Sequence, residues 1–329
     1  MQQVNLDQLE QQGYTVVKDV LTKEEVDTSR SLFWEWLASL GSGITPDNLE
    51  SWSDENWPGN IYTGHISNHG ISQSEFVWYV RGRPKVRDAF MKIWTNKIDK
   101  KAKLDKGLIC SMDAVICWRP WWLCDFEDWE PQVEGLHVDQ NPLNKPGFHC
   151  IQGMIPLYDV NEISGGLQVV PNSHTDRVQE VLKELGPISS HLMLSMIGDY
   201  WQLHSKDSRV LELSQYKRLV QAKAGSLILW DSRLIHGGLI GKGMPYVKSG
   251  SAPSQTADLL RLAVPICMMP RDGVSEEVLS DRRAAYENRY TMTHWANETN
   301  YFRGSDSHAI NITKEPPYYR LSNDEYDLL

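Results

Sequence analysis

The feature that most constrains the fold is a series of short apolar runs that begins at residue 108, after a first third that is mainly helical in pattern. Turn residues bound these runs, which are "LICSMDAVICW", "FHCIQGMIPLYDV", "GLQVVPNSH", "SLILWDSRLIHGG" and "LLRLAVPICMMP". Several short strands after a helical start predict an antiparallel sandwich or barrel with helices packed outside it. The stretch "TDRVQEVLKELG" predicts an amphipathic helix on one connection between strands.

The first third of the chain carries three helical patterns. "LDQLEQQ" predicts a short helix, "YTVV" predicts a strand, and a longer helix begins at Thr22, which forms a capping box with Glu25, and ends near Gly41. The stretch "RGRPKVRDAFMKIWTNKI" restores a helical period further on. Residues 42–75 between them show little periodicity, and they fit either a functional lid or a packed irregular excursion.

No linker separates two units, so we predict a single domain over residues 1–329. Within it we expect an N-terminal helical layer and lid region over residues 1–107, a β core over residues 108–275 and a C-terminal extension over residues 276–329.

Charge and cysteine usage narrow the class of protein. The net charge of −10 argues against nucleic acid or a membrane as partner, because both require a basic surface, and it leaves a small molecule as the expected ligand. The five cysteines form no CxxC pair and their odd number does not suit a disulfide framework, so we expect reduced thiols. The N-terminal stretch lacks a secretory pattern and no segment approaches a membrane span, which predicts a cytoplasmic protein.

The stretch "GLHVDQNP" places His137 and Asp139 two residues apart. On a strand, side chains two apart point to the same face, so this pair can hold one metal ion together. A facial iron(II) site needs one more histidine, and His236 is the strongest candidate because it ends a buried apolar run and two glycines follow it. The other downstream histidines are His149, His174, His191, His204, His294 and His308.

This ordered set resembles the phytanoyl-CoA dioxygenase-like family of iron(II)- and 2-oxoglutarate-dependent oxygenases. The similarity rests on "HVD", the distant strand-borne histidine, an arginine on the next strand, the opening "QQGYTVVKDVLTKEEV" and the segment "SGGLQVVPNSH". It extends from about residue 7 to about residue 270. The resemblance implies a mainly β fold with flanking helices, built on a double-stranded β-helix, the jelly-roll core of the cupin type.

The resemblance also implies the cofactors and their residues. His137, Asp139 and His236 match the Fe(II) ligands, and Arg261 matches the arginine that pairs with the distal carboxylate of 2-oxoglutarate. An arginine fork suits a carboxylate because it offers two parallel hydrogen bonds. The implied reaction consumes O2 and 2-oxoglutarate, releases succinate and CO2, and oxidises a C–H bond of a small molecule. Asp139 favours hydroxylation or another oxidation over halogenation, because related halogenating enzymes carry a small residue at that position.

The sequence departs from the family pattern at two places. A stretch of more than twenty residues separates His236 from Arg261, and Gly238 stands where the family often has serine. The glycines, serines and prolines of residues 240–256 predict a mobile flap beside the iron, with a passive hairpin excursion as the alternative.

Five other residues are candidates with an open alternative. Gln152 lies in an apolar strand, where it either contacts cosubstrate or substrate or makes a structural hydrogen bond. Gln140 and Asn141 either contact the substrate or form the turn that "NP" indicates. For Trp118 and Arg119, which precede the proposed ligands, contact with substrate stays open.

Two other function classes remain at this point. A zinc hydrolase can use the same three ligands, but it needs a nearby carboxylate base and gives Arg261 no purpose. A non-catalytic jelly-roll binding protein would need no metal at all.

Overall fold

A computed structural model describes residues 4–97, 104–124, 127–133, 135–186, 188, 199–244, 258–302 and 309–329. Its helices are α1 (Leu6–Gln12), α2 (Lys23–Ser39), α3 (Glu75–Arg81), α4 (Pro84–Lys97), α5 (Asp176–Leu185), α6 (Ser208–Ser214), α7 (Glu276–Glu287) and α8 (Asn323–Tyr326). Three short 3-10 turns cover Leu49–Trp52, Ile71–Gln73 and Trp121–Leu123.

Twelve strands of the described chain form two sheets whose pairs are all antiparallel. They are β1 (Tyr14–Val17), β2 (His65–Ile66), β3 (Leu108–Cys110), β4 (Val115–Trp118), β5 (His137–Val138), β6 (Ile151–Pro156), β7 (Gly165–Val169), β8 (Trp201–Gln202), β9 (Arg218–Leu219), β10 (Leu227–Asp231), β11 (His236–Ile240) and β12 (Arg261–Pro270). The larger sheet has the order β1-β10-β6-β12-β4-β2, with β3 beside β12, and the smaller has the order β8-β5-β11-β7-β9.

The alternation of side chains along the larger sheet creates two apolar layers. In β12, Leu262, Val264 and Ile266 pack into the main core with the helices, whereas Ala263 points to the other face. That other face meets Leu167 and Val169 of the smaller sheet. Because successive strand residues point to opposite faces, the space between the sheets is also where Gln152, Met154 and Arg261 lie. The two facing sheets form the predicted jelly roll.

Several local predictions are confirmed. The strand Tyr14–Val17 has the predicted bounds, and the side chains of Thr22 and Glu25 form the capping box at the start of α2. The residues on the predicted inner face of α4 are buried: Val86, Phe90, Ile93 and Trp94.

All five cysteines are free thiols, and four of them are buried. In the part of the chain that the structure describes, we find no helix with the length and apolar character needed to cross a membrane.

Two apolar runs that the sequence presents as continuous are each divided into two strands. The run "LICSMDAVICW" forms β3 and β4 with a break between them, and "SLILWDSRLIHGG" forms β10 and β11, which belong to different sheets. Residues 42–75 contain the buried side chains of Trp52 and Trp57, so a packed excursion describes them better than an open lid. Most of the predicted flap over residues 240–256 lies outside the described residues.

Candidate metal centre

The three predicted ligands meet at one end of the smaller sheet. His137 begins β5, His236 begins β11, and the two residues are directly opposite in the antiparallel register. Asp139 follows β5 immediately, and Val138 between the two candidate ligands is buried on the other side of the strand. The potential ligand atoms of the three side chains all lie within 4.8 Å of one another. The sheet register therefore brings together residues that are about a hundred positions apart in the chain.

Both imidazole rings are oriented by the main chain. Nδ1 of His137 lies 2.9 Å from the carbonyl oxygen of Gly135, and Nδ1 of His236 lies 2.8 Å from that of Leu234. A carbonyl oxygen only accepts, so each Nδ1 carries the hydrogen and each neutral ring has its lone pair on Nε2. This arrangement is typical of metal-binding histidines, whose second nitrogen is held by a carbonyl or carboxylate.

The two Nε2 atoms face the oxygens of Asp139. The distances are 3.7 Å from His137 Nε2 to Oδ1 and 3.2 Å from His236 Nε2 to Oδ2. The lone pair of an imidazole nitrogen and a carboxylate oxygen repel each other at this distance. A positive charge between the two atoms, either a proton or a metal ion, removes the repulsion. Two ligand atoms about 2.0 to 2.2 Å from one ion lie at most about 4.4 Å apart, so these distances fit a shared metal.

The carboxyl of Asp139 is held in its ionised form. Burial raises its pKa, but when the rings carry a second proton in place of a metal, the charge and hydrogen bond of His236 and the charges of His137 and His294 outweigh burial. The net pKa lies well below the usual range for aspartate. A metal ligand must be deprotonated, so the site presents the required charge across the physiological pH range.

Gln152 of β6 donates a hydrogen bond from Nε2 to Asp139 Oδ2 over 3.2 Å. The structural hydrogen bond that the sequence left open is thus made, and its acceptor is the candidate ligand. Groups that orient a ligand typically contribute about 10-fold to 100-fold to metal affinity. We therefore expect Gln152→Leu to weaken Fe(II) binding at least about tenfold. Anaerobic Fe(II) titration of Gln152→Leu tests this.

Gln179→Leu is the matched control for that titration, because Gln179 is also buried but donates to the main-chain oxygens of Ser173 and Arg233. We expect it to leave Fe(II) affinity unchanged. Equal affinity in Gln152→Leu and wild type would mean that this contact does not orient the carboxylate.

Arg261 begins β12 and lies between the sheets with only 5% of its surface exposed. Its Nη2 contacts the sulfur of Met154 at 3.4 Å and its guanidinium lies 4.4 Å from the Trp118 ring centre, while its Nε has no hydrogen-bond partner. No carboxylate of the described residues forms an ion pair with it. Burial lowers its pKa to about 10. A buried cation without an anion is energetically costly, so this position suits an anionic ligand.

Trp118, at the end of β4, and Arg119, which follows it, differ in their contacts. Trp118 pairs with Arg261 across the sheet, stacks on its guanidinium and donates from Nε1 to the oxygen of Thr63. It is therefore a wall of the Arg261 pocket. Arg119 donates to the oxygen of Trp52 and forms an ion pair with Asp54. These bonds occupy Arg119 and favour a structural role over the substrate contact that the sequence left open.

Gln140 and Asn141 support the loop after the ligands. Gln140 is fully buried and donates from Nε2 to the oxygens of Lys145 and Gly147, while its Oε1 accepts from Ser232. The Asn141 side chain accepts from the main-chain N–H of Leu143. These contacts favour the turn over the substrate contact.

Gly238 leaves room for a neighbouring side chain. A Cβ at this position would lie 2.8 Å from Cγ1 of Val133. Serine, which the family often has here, would require Val133 to move, so the departure from the family pattern has a packing reason.

Three aromatic residues beside the site were not identified from the sequence. The Tyr200 ring lies 4.9 Å from the His137 ring, the Trp230 ring lies 5.5 Å from the His236 ring, and the His294 ring lies 4.7 Å from the ring of Trp295, which contacts Lys145. Trp230 was recognisable only as part of an apolar strand, and His294 only as one histidine among several. Their positions depend on long-range packing.

Asp113, which follows β3, is a buried carboxyl whose charge interacts with Asp139. Burial, with a smaller contribution from Asp139, raises its pKa from 3.8 to about 6, although Ser111 and Arg81 oppose the shift. Between pH 3.8 and about pH 6, Asp113 keeps its proton in the folded protein but has lost it in the unfolded chain. The free energy of unfolding therefore falls as pH rises. The expected loss is up to about 3 kcal/mol and is complete above pH 6.

Asp113→Asn should remove this dependence. Urea unfolding at pH 4 and pH 7 is expected to show the variant gaining stability relative to wild type by up to about 3 kcal/mol over that interval. Parallel pH profiles of the two proteins would contradict the expectation.

Comparison with known proteins identifies relatives. The sequence profile of the phytanoyl-CoA dioxygenase (PhyH) family matches residues 9–239, which is more than half of the chain. A protein of Aspergillus versicolor, Ava biosynthesis cluster protein O, is 23% identical over 298 residues that cover 88% of this chain and 84% of the relative.

Solved structures that are similar to this chain include two proteins of nogalamycin biosynthesis. The epimerase SnoN, in complex with Fe3+, alpha ketoglutarate and nogalamycin RO, has a TM-score of 0.48 and 14% identity over 80% of this chain and 81% of its own. The non-heme alpha ketoglutarate dependent carbocyclase SnoK has a TM-score of 0.46 and 16% identity over 91% of this chain and 92% of its own.

Proposed function

The chain belongs to the phytanoyl-CoA dioxygenase family, and we propose on this basis that it is an Fe(II)- and 2-oxoglutarate-dependent oxygenase that hydroxylates, or otherwise oxidises, a C–H bond of a small molecule. The products from the cosubstrate are succinate and CO2. Family membership supports the reaction class, and the residues of this chain support the individual roles that follow.

The proposal depends on one observation: the space between the two sheets contains both a set of metal-ligand side chains and a buried arginine. Three metal-ligand side chains converge at the end of the smaller sheet, and a buried arginine without a carboxylate partner among the described residues points into the space between the sheets. A dicarboxylate that binds a metal at one end and an arginine at the other satisfies both features. Either feature alone would also fit a site of another kind, whereas their combination favours a chelating dicarboxylate.

Each residue then has a defined task. His137, Asp139 and His236 hold Fe(II), and the carbonyls of Gly135 and Leu234 keep the rings in the correct tautomer. Gln152 orients the carboxylate of Asp139.

Arg261 binds the distal carboxylate of 2-oxoglutarate through its fork, and Trp118 and Met154 keep that fork in place and exclude water.

Bound iron supplies the oxidation of 2-oxoglutarate and substrate by O2, which the side chains of the protein cannot perform. Asp139 would hold the metal through its carboxylate where halogenating relatives carry a small residue, which favours hydroxylation or another oxidation over halogenation. The name of the Aspergillus versicolor relative, which refers to a biosynthesis cluster, supports a small-molecule substrate for this chain as well.

The zinc hydrolase alternative explains less. The same three ligands suit zinc, but the hydrolase has no use for a buried arginine between the sheets. The non-catalytic alternative explains neither feature.

The decisive experiment measures metal and product together in the wild type. Protein purified without oxygen is expected to take up one Fe(II) and then to form succinate from 2-oxoglutarate when O2 is admitted, even without the natural substrate. Zn(II) in place of Fe(II) should give no succinate. Succinate that forms equally with Zn(II), or no Fe(II) uptake, would contradict the proposal.

A further inference from the structure

Residues 291–302, which we call the C-terminal loop, hold an unusual number of unpartnered polar atoms. Ten buried side-chain nitrogen or oxygen atoms find no hydrogen-bond partner within the described ranges, and four of them belong to this loop: Thr293 Oγ1, His294 Nε2, Trp295 Nε1 and Asn297 Oδ1. Buried polar groups in folded proteins are normally hydrogen-bonded. Such a cluster therefore suggests polar partners that are not part of the chain.

The C-terminal loop is held firmly against the jelly roll. Met292 bridges to Tyr301, so the loop doubles back on itself, and the main-chain N–H of Met292 donates to the oxygen of Met112 over 2.7 Å. Thr291 Oγ1 donates to the oxygen of Ser67 over 2.6 Å. The main chain of the loop is thus held in place at both of its ends. The loop also lies outside residues 9–239, the part of the chain that matches the family profile.

Lys145 places this loop near the metal centre. Its main-chain N–H donates to the oxygen of Asn141, two residues after Asp139, and its Nζ forms an ion pair with Asp199, the neighbour of Tyr200, whose ring lies 4.9 Å from the His137 ring. The same Nζ contacts Trp295 and Glu298 of the loop. The His294 ring lies 4.7 Å from the Trp295 ring, while Trp230 and Tyr200 stack near the ligand histidines. The neighbourhood therefore combines apolar aromatic surfaces with a few unpartnered polar atoms, which is typical of a small-molecule site.

Lys145 anchors the C-terminal loop and is itself neutralised. Its Nζ lies 2.7 Å from Asp199 Oδ2, 2.5 Å from Glu298 Oε1 and 3.6 Å from the ring centre of Trp295. The two carboxylates exceed the single ammonium by one negative charge, and both form ion pairs with it.

We propose that the C-terminal loop is a substrate-binding element in which His294 and Asn297 hydrogen-bond an uncharged hydroxyl group of the substrate. A hydroxyl both donates and accepts, so it suits the acceptor Asn297 Oδ1 and the imidazole Nε2 of His294. An anion would find no free positive charge among the described residues of the loop and its Lys145 anchor, and the two carboxylates there are already paired with Lys145. The inference rests on the proposed function, because the substrate meant is the molecule oxidised at the iron.

Three probes of one shape test the preference for a hydroxyl. Benzyl alcohol, ethylbenzene and benzylammonium share an aromatic ring and differ in carrying a hydroxyl, a methyl or an ammonium group. Their dissociation constants are measured by NMR titration of anaerobic protein loaded with Fe(II) and 2-oxoglutarate, and again of metal-free protein. We expect the wild type to bind benzyl alcohol about fivefold to tenfold more tightly than the other two, as for one net hydrogen bond.

The variants connect this preference to the loop. We expect His294→Leu and Asn297→Ala each to reduce the preference to less than about twofold, and His294→Gln, which keeps a polar group, to retain part of it. His149→Leu is the matched control, because His149 is exposed and its hydrogen-bond partner within the described residues is the oxygen of Pro146. It should keep the wild-type preference.

The outcomes of the probe-binding experiment can be distinguished from those of the test of the proposed function. Absence of a hydroxyl preference in wild type, no saturable binding of any probe, or a preference that persists in both His294→Leu and Asn297→Ala would overturn the inference. Iron uptake and succinate formation by the wild type test the proposed function independently. A hydroxyl preference that depends on His294 in a protein without Fe(II) uptake would support the binding element and contradict the oxygenase.

Discussion

His236→Ala is expected to lower Fe(II) affinity more than about 100-fold, and Asp139→Ala should do the same. Groups that only orient a ligand already contribute about 10-fold to 100-fold, and each of these substitutions removes a ligand itself. His236 is 4% exposed, so the gap that alanine leaves is enclosed by protein. Asp139 also supplies the only negative charge among the three ligands.

The measurement is anaerobic competition for Fe(II) against a coloured chelator, with succinate formation as the second readout. His149→Ala is the control, because it removes an exposed imidazole that is not one of the three ligands. Wild-type iron content in His236→Ala or Asp139→Ala would show that the metal is held elsewhere, even if succinate formation were lost.

Much of the fold follows from local sequence pattern. The strand Tyr14–Val17, the capping box of Thr22 and Glu25 and the inner face of α4 are all set by residues within a few positions of one another. The candidate metal residues could also be selected, because His236 ends a buried apolar strand and HxD places two ligands on one face. The exact partners across the sheets, such as His236 opposite His137, depend on register between distant strands.

The sequence was less informative where contacts are long-range and aperiodic. Arg119 lies next to a wall of the proposed cosubstrate pocket, but its guanidinium turns away to Trp52 and Asp54, which are more than sixty residues distant. The C-terminal loop has no hydrophobic period that would predict the contacts of Trp295 and Glu298 with Lys145. Gln140 and Asn141 were ambiguous because a turn and a binding site use the same polar residues.

Arg261→Leu is expected to raise the 2-oxoglutarate concentration for half-maximal succinate formation about 100-fold while Fe(II) still binds. This factor corresponds to roughly 3 kcal/mol, as expected for losing a buried charge-assisted pair. Arg261→Lys should recover only part of the loss, because lysine keeps the charge without the planar fork. The control is Arg218→Leu, which removes an exposed arginine of β9. An unchanged half-saturation in Arg261→Leu would place the cosubstrate elsewhere.

The effect of Arg261→Leu on stability distinguishes a ligand-binding arginine from a structural one. Arg282 is equally buried, but it donates to the main-chain oxygens of Leu329, Ala296 and Cys110, so its removal would leave these acceptors unsatisfied. Among the described residues, the contacts of the Arg261 guanidinium are one sulfur and one stacked ring. Replacing a buried unpaired charge with an apolar side chain removes a desolvation penalty. Without 2-oxoglutarate, Arg261→Leu should therefore unfold at the same urea concentration as wild type or at a higher one, whereas Arg282→Leu should unfold at a lower one.

With saturating 2-oxoglutarate and Fe(II), the wild type should gain stability that Arg261→Leu does not. A marked loss of stability in metal-free Arg261→Leu would instead indicate that Arg261 supports the sheet.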